Sequence, residues 1–342
     1  MTSELRITPG SWILVTGANG LVASHIVNEV LKAGYKVRGS VRDRKRSAWL
    51  KDKFDELYGP GKFDLVVIKD LTDAVAYGEA VKGVSGIIHT AHTPGINPHV
   101  VIPAVIAGLI NPLKAAAKEP SVKAVVYTSS SWAASIPIPD VEMTLDSNTY
   151  AEDAAEKAWA PPPYETDRAV FVYATSKVEA EKAAFRWVTE NNATFAFNTV
   201  LPSANFGEVL FPEEQGYPTT VGRLKDLFLG NEFQYTSTST HRSTEYYIAV
   251  QDQALIHLAA LINPTVSGER LFAFAEPYNW NEILAIFRKL YPEKKFIDDF
   301  PELGHDISKV ANERAEELLK SIAGRGFIPL EESVKATVAK VA

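Results

Sequence analysis

The run Val15-Thr16-Gly17-Ala18-Asn19-Gly20-Leu21-Val22-Ala23 joins a short apolar strand to an amphipathic helix near the start of the chain. A strand, a glycine turn and a helix form the first half of a βαβ unit. The helix then carries the chain back so that the next strand lies parallel to the first. Gly17 permits the tight turn, Gly20 lets backbone approach a pyrophosphate, and small Ala23 lets helix and strand pack closely. The helix start offers unpaired N–H groups and a positive dipole end to an anion. Gly17, Asn19, Gly20, Leu21 and Val22 are therefore the candidate phosphate-binding backbone. The alternative is a glycine-rich turn with no ligand. The spacing is Gly-x-x-Gly-x-x-Ala, not Gly-x-Gly-x-x-Gly.

The rest of the first two thirds repeats the alternation. Strands are expected at Trp12–Thr16, Lys36–Val41, Leu65–Ile68, Gly86–Thr90, Ala124–Thr128 and Thr194–Leu201. Helices are expected between them at Ala23–Ala33, Lys45–Tyr58, Ala74–Val81, Val100–Lys118 and Tyr173–Glu190. Continuous apolar strands separated by helices predict an α/β fold, a Rossmann-type doubly wound parallel sheet covered on both faces. After Pro202 the pattern changes. Residues 203–245 read as loop-rich and carry Phe206, Phe211, Tyr217, Phe228, Phe233 and Tyr235. A helix (Ala249–Leu261), a strand (Arg270–Ala275) and two tail helices (Asn279–Leu290, Asn312–Ser321) follow. The expected division is a dinucleotide-binding domain over 1–203, with 236–275 returning to it, and a smaller substrate-binding lobe from 204–235 and 276–342.

Composition narrows the chemistry. The 342 residues include no cysteine, which excludes a disulfide framework, a thiolate metal site and a cysteine nucleophile. A formal charge of −7 leaves no domain-wide basic field for nucleic acid or an anionic membrane. The start of the chain has no apolar signal-peptide core. Val100–Leu113, broken by Pro103 and Pro112, reads as a buried helix rather than a span. The expectation is a cytoplasmic protein with no nucleic-acid or membrane partner.

The second strand decides which dinucleotide is held. A carboxylate at its end would grip a ribose 2′-hydroxyl. Here Val41 stands in that place and Arg42 follows, within Arg38-Gly39-Ser40-Val41-Arg42-Asp43-Arg44-Lys45-Arg46. The Arg42 guanidinium suits a 2′-phosphate, and Arg46, one helical turn on, would add a second charge. A solvated basic face is the alternative. Asp70 and Leu71, closing the third strand, are candidates for the adenine edge.

Tyr-x-x-x-Lys puts a phenol and an ammonium on one helix face, where the ammonium favours phenolate and readies the tyrosine for proton transfer. With 13 tyrosines, roughly one match is expected by chance, and the chain has three. Tyr58…Lys62 spans Gly-Pro-Gly and cannot be helical. Tyr291-Pro292 lies in the C-terminal lobe, so Tyr173…Lys177, after the fifth strand, is the credible pair. That strand ends in Thr128-Ser129-Ser130-Ser131, and a hydroxyl at a strand's carboxyl end can orient a substrate oxygen. The seven histidines form no ligand cluster, so no metal is expected; His89 and His92 lie near the end of the fourth strand.

Turn, serine and Tyr/Lys pair in this order resemble the extended short-chain dehydrogenase/reductase family, and within it the dihydroflavonol-reductase-like branch with its fungal and yeast NADPH-dependent aldehyde/ketone reductases. Thr16–His25, Val37–Arg42, Thr128–Ser130, Val172–Lys177 and Phe287–Pro292 carry the likeness. The resemblance implies a sheet order 3-2-1-4-5-6-7 and hydride transfer from NADPH to a small carbonyl substrate. Ser130 would orient the oxygen, Tyr173 would donate the proton, and Lys177 would grip the nicotinamide ribose and lower the tyrosine pKa. Arg42 and Arg46 would hold the 2′-phosphate, and Pro202, Ser203 and the following residues to Asn205 would sit against the nicotinamide carboxamide. Asn111 sits on the helix that carries a relay asparagine elsewhere in the superfamily, but Pro112 beside it leaves that role unassigned. The aromatic-rich lobe suggests an apolar substrate. A sugar-nucleotide epimerase or dehydratase on the same scaffold, and a non-catalytic NADP(H) sensor, are the other readings. The first usually needs the carboxylate that Val41 replaces, and the second needs no Tyr/Lys pair.

Overall fold

The computed structural model describes residues 5–164, 167–231 and 244–341. Phe233, Tyr235 and His241 lie outside them. In chain order the first half runs β1 (Trp12–Thr16), α1 (Leu21–Lys32), β2 (Lys36–Val41), α2 (Ala48–Tyr58), β3 (Phe63–Val67), α3 (Ala74–Ala80), β4 (Val84–His89), α4 (Pro98–Ala116) and β5 (Ala124–Thr128). A short 3-10 turn at Ser131–Ala133 leads to β6 (Thr144–Leu145), α5 (Ala154–Trp159), α6 (Arg168–Glu190) and β7 (Ala196–Pro202). The last part comprises β8 (Ala204–Phe206), α7 (Pro212–Gln215), α8 (Thr219–Leu229), β9 (Thr244–Ala249), α9 (Val250–Ile262), β10 (Arg270–Ala273), β11 (Glu276–Asn279), α10 (Trp280–Leu290), β12 (Lys309–Val310), α11 (Glu313–Ala323) and α12 (Leu330–Val338).

Seven parallel strands form the main sheet in the order β10-β7-β5-β4-β1-β2-β3. Counting only its own strands, this is the 3-2-1-4-5-6-7 order the resemblance implies. Side chains alternate across the sheet. Ile13 and Val15 join the core against α1, α9 and α11, while Leu14 joins the core against α3, α4 and α6. The order in which strands are added reverses between β1 and β4, which opens a crevice at their carboxyl ends. That is where ligands enter a doubly wound sheet.

The smaller lobe is built on the three-stranded sheet β11-β9-β8. Phe206, Phe228, Tyr278, Trp280 and Phe287 fill its core. Asn279 starts α10 with a capping box, its side chain accepting from Glu282 N while Glu282 accepts from Asn279 N.

Two segments fall differently from the expected division. Residues 244–249 hydrogen-bond into the lobe's sheet, because β9 pairs with β8 and β11. Residues 313–323, expected in the lobe, bury Ala315, Leu318 and Leu319 in the core of the main sheet. Helix α6 begins at Arg168, not at Tyr173, since Val170 and Val172 already carry its apolar face. Helix α4 runs unbroken over 19 residues through Pro103 and Pro112. It is long and apolar enough to cross a membrane, but about half of it is buried here, with Ile102, Leu109 and Leu113 packed in the core.

Candidate active site

The crevice at the carboxyl edge of the sheet is a cleft of about 690 Å³. One wall is the glycine turn. Gly17 adopts φ +65°, a left-handed conformation that glycine takes without strain. The turn is tied down by Ala18 N donating to Ser40 O (2.9 Å) and Gly17 N to Ser40 Oγ (3.2 Å). Gly20 is the N-cap of α1 and has no side chain to satisfy the helix's first N–H groups. They are left for an anion. Gly17, Asn19, Gly20, Leu21 and Val22 all line the cleft.

Arg42, at the end of β2, also lines the cleft; its exposed guanidinium makes no hydrogen bond or ion pair among the described residues. Arg46 does not join it. Asp43 Oδ1 accepts from Lys45 N (2.9 Å) and Arg46 N (3.1 Å), Ser47 N donates to Asp43 O (3.2 Å), and α2 follows from Ala48. Arg46 is absent from the lining, and Lys69, which the sequence reading passed over, supplies a cation there. Its signal was its place, two residues past β3, the strand beside β2. Asp70 and Leu71 reach the cleft as expected. Asp70 also closes a turn by accepting from Thr72 N and Thr72 Oγ1, both at 2.8 Å, and these bonds hold its carboxyl below the usual range.

At the other end stand Tyr173 and Lys177 on α6. One helical turn apart and well inside the helix, they share a face toward the cleft. Lys177 Nζ donates to Thr128 O (2.8 Å) and sits 4.6 Å from the Tyr127 ring centre and 5.8 Å from that of Tyr173. The Tyr173 ring is held edge-on between His92 (5.0 Å) and Trp132 (5.9 Å). Ser130 stays outside the lining of the cleft, but its hydroxyl bonds the Tyr173 phenol and accepts from Trp132 N (3.2 Å).

Burial dominates the electrostatics of the pair. It pushes the Tyr173 phenol up, against the opposing pull of Ser130, and brings the Lys177 ammonium down to about 7, against the pull of Glu181. Burial outweighs the pull of Ser130, and the phenol stays protonated at neutral pH. Such a tyrosine is poised to give a proton.

Pro202 lines the cleft, but Ser203 does not. The pairing of β7 with β10 turns Ser203 inward, its Oγ donating to Ala273 O (3.3 Å), and Asn205 faces the cleft in its place. Asn111 does not line the cleft. Its amide donates to Leu71 O (3.3 Å) and Thr72 O (2.9 Å), clamping the loop after β3. Of the two histidines near β4, His92 lines the cleft, while His89 is buried behind it with Nδ1 2.9 Å from Thr16 Oγ1. Burial keeps both neutral, at about 3. Three aromatic residues of the 203–245 segment pack away from the cleft. Phe206 and Phe228 fill the lobe core, and Phe211 packs on Trp49 and Phe54. The other two Tyr-x-x-x-Lys pairs lie elsewhere: Tyr58 OH donates to Asn28 Oδ1 (2.6 Å), and Tyr291 packs on Phe228. No group of three or more potential metal ligands occurs among the described residues.

The cleft suits a dinucleotide. Buried polar atoms of His92, Ser129, Asn205 and Gln253 lack protein partners among the described residues, and all four residues line this one space. A polar ligand is the ordinary way to satisfy such a set. Residues 13–271 match the model of the NAD dependent epimerase/dehydratase family. The chain belongs to that family. Its members of this extended short-chain dehydrogenase/reductase type share the doubly wound sheet described above. The chain is 40% identical over 333 residues to aldehyde reductase 2 of Sporidiobolus salmonicolor, covering 96% of this chain and 95% of the relative. It is 36% identical to ketoreductase adrE of Penicillium rubens, covering 98% and 97%. Among solved structures, yeast methylglyoxal/isovaleraldehyde reductase Gre2, complexed with NADPH, superposes with a TM-score of 0.80 at 24% identity, covering 96% of this chain and 98% of that one. That likeness is one of fold.

Proposed function

We propose that the protein is an NADPH-dependent reductase of small aldehydes and ketones. The observation that carries this reading is the placement of Arg42 at one end of a single cleft and Tyr173, with Ser130 and Lys177, at the other. The names of its relatives, aldehyde reductase and ketoreductase, point the same way.

The N–H groups opening α1 hold the diphosphate, and Arg42 with Lys69 meets the 2′-phosphate. Val41 offers no carboxylate to select NAD, which also disfavours the epimerase reading. Bound NADPH supplies a hydride to the carbonyl carbon. Ser130 Oγ and Tyr173 OH fix the carbonyl oxygen, and the phenol gives that oxygen its proton as the C=O π bond becomes the new O–H bond. Lys177 Nζ, anchored on Thr128 O, compensates the phenolate left behind. Trp132 and His92 brace the ring, so the donor is positioned before substrate arrives. Trp132 supplies apolar surface beside the tyrosine for an alkyl or aryl substituent.

The test is oxidation of NADPH and NADH with a panel of aldehydes, ketones and sugar nucleotides. Turnover of simple carbonyls with NADPH well ahead of NADH is expected. Turnover of sugar nucleotides alone would overturn the reading.

A further inference from the structure

Gln253, in the first turn of α9, is fully buried and lines the cleft, yet neither Oε1 nor Nε2 of its side chain has a partner among the described residues. An amide in this position loses its hydration and gains nothing from the protein, so packing alone does not explain it. A leucine would fill the same volume without that loss.

The backbone beneath it is firmly placed. Gln253 O faces His257 Nδ1 at 2.8 Å, and a carbonyl only accepts, so that nitrogen carries the proton. Nε2 of the neutral ring then accepts from Thr128 Oγ1 at 2.8 Å. The carbonyl of the same threonine accepts from Lys177 Nζ at 2.8 Å. A buried chain thus links Gln253 to the lysine of the proton-transfer pair, on the strand end where the nicotinamide ring would lie.

We infer that the Gln253 side-chain amide recognises the nicotinamide carboxamide, Oε1 accepting from its NH₂ and Nε2 donating to its C=O. Both orphaned atoms need partners of opposite kind set side by side. A diphosphate only accepts and would leave Oε1 unmet, whereas a primary carboxamide is planar and offers one donor and one acceptor at matching spacing. This assignment rests on the NADPH reading above.

The test compares wild type with Gln253→Leu and Gln253→Glu by calorimetry. The ligands are NADP⁺, its 3-acetylpyridine analogue, which keeps the carbonyl but lacks the NH₂, and 2′,5′-ADP, which lacks the nicotinamide. Wild type should bind NADP⁺ about tenfold more tightly than the analogue, and Gln253→Leu should lose that preference while binding 2′,5′-ADP as wild type does. Gln253→Glu, which keeps an acceptor but loses the amide donor, should weaken NADP⁺ and the analogue alike. Without ligand, Gln253→Leu should melt no lower than wild type, since it removes two unpartnered polar atoms. Unchanged discrimination in Gln253→Leu would overturn the assignment, as would an equal loss of all three ligands with a lower Tm, which marks a packing role. Failure of wild type to bind NADP⁺ at all would instead sink the cofactor reading.

Discussion

Tyr173 and Lys177 show how one environment acts on two groups of opposite charge type. Burial disfavours the charged form of each, raising the phenol and bringing the ammonium to about 7, so both move toward neutrality. At neutral pH the tyrosine holds its proton, which a reductase needs and a resting phenolate would deny. In the proposed reading, Arg42 sets cofactor preference at the other end of the cleft. Arg42→Ala should weaken NADPH by about 1.5–3 kcal/mol, or about 10–150-fold, the worth of a hydrogen bond to a charged group. NADH affinity should stay near wild type; fluorescence titration of both cofactors checks this, and equal losses would make Arg42 structural. The pair was legible through its four-residue helical spacing, and Ser130 and Arg42 through their places just past strand ends. Lys69 and Gln253 were not, since lining by those residues depends on how loops and a second lobe close over the sheet. Arg46 does not line the cleft, and Asp43 accepts from the Lys45 and Arg46 backbone N–H groups as an N-cap does.

Among the elements, α6 carries most of the chemistry and is locked to the sheet by one buried ion pair. Arg270 on β10 donates to Glu181 Oε2 through Nη2 (2.9 Å) and Nε (3.2 Å), with both side chains almost wholly buried. The same guanidinium donates to Ser147 O and Thr149 O and lies 3.8 Å from the Tyr150 ring centre. Arg270→Met leaves Glu181 charged and unpaired, so urea unfolding should show a loss of about 3–5 kcal/mol. Adding Glu181→Leu should recover much of it; if the double variant is no better than the single, the loss is packing and not charge. Strand periodicity made the main sheet and its order readable, because fully buried strands leave continuous apolar runs. The lobe was harder. Its β8 and β11 are three and four residues long, too short for a period to register, and β9 looked like part of the returning segment. The Phe206 and Phe228 side chains belong to the lobe's core, and aromatic composition does not distinguish a core from a cleft.

At the scale of the whole molecule, four buried histidines bind both layers and the lobe into a pH response. Burial holds His25 and His257 at about 4 and His89 and His92 at about 3, below their ordinary value. The unfolded chain therefore binds more protons between those values and about 6.5. The stability these neutral rings contribute is present above about 6.5 and lost as pH falls toward 4. The urea midpoint should be lower at pH 5 than at pH 7, and His25→Gln should reduce the difference; an unchanged midpoint would show that the rings ionise freely in the fold. Above them all stands the claim that this cleft reduces carbonyls with a tyrosine as the acid. The most direct measurement is single-turnover oxidation of bound NADPH by a carbonyl substrate in wild type and Tyr173→Phe, with NADPH affinity measured in both. The account predicts equal affinity and a chemical step slower by at least about 100-fold in the variant. Equal rates in the two proteins would contradict it.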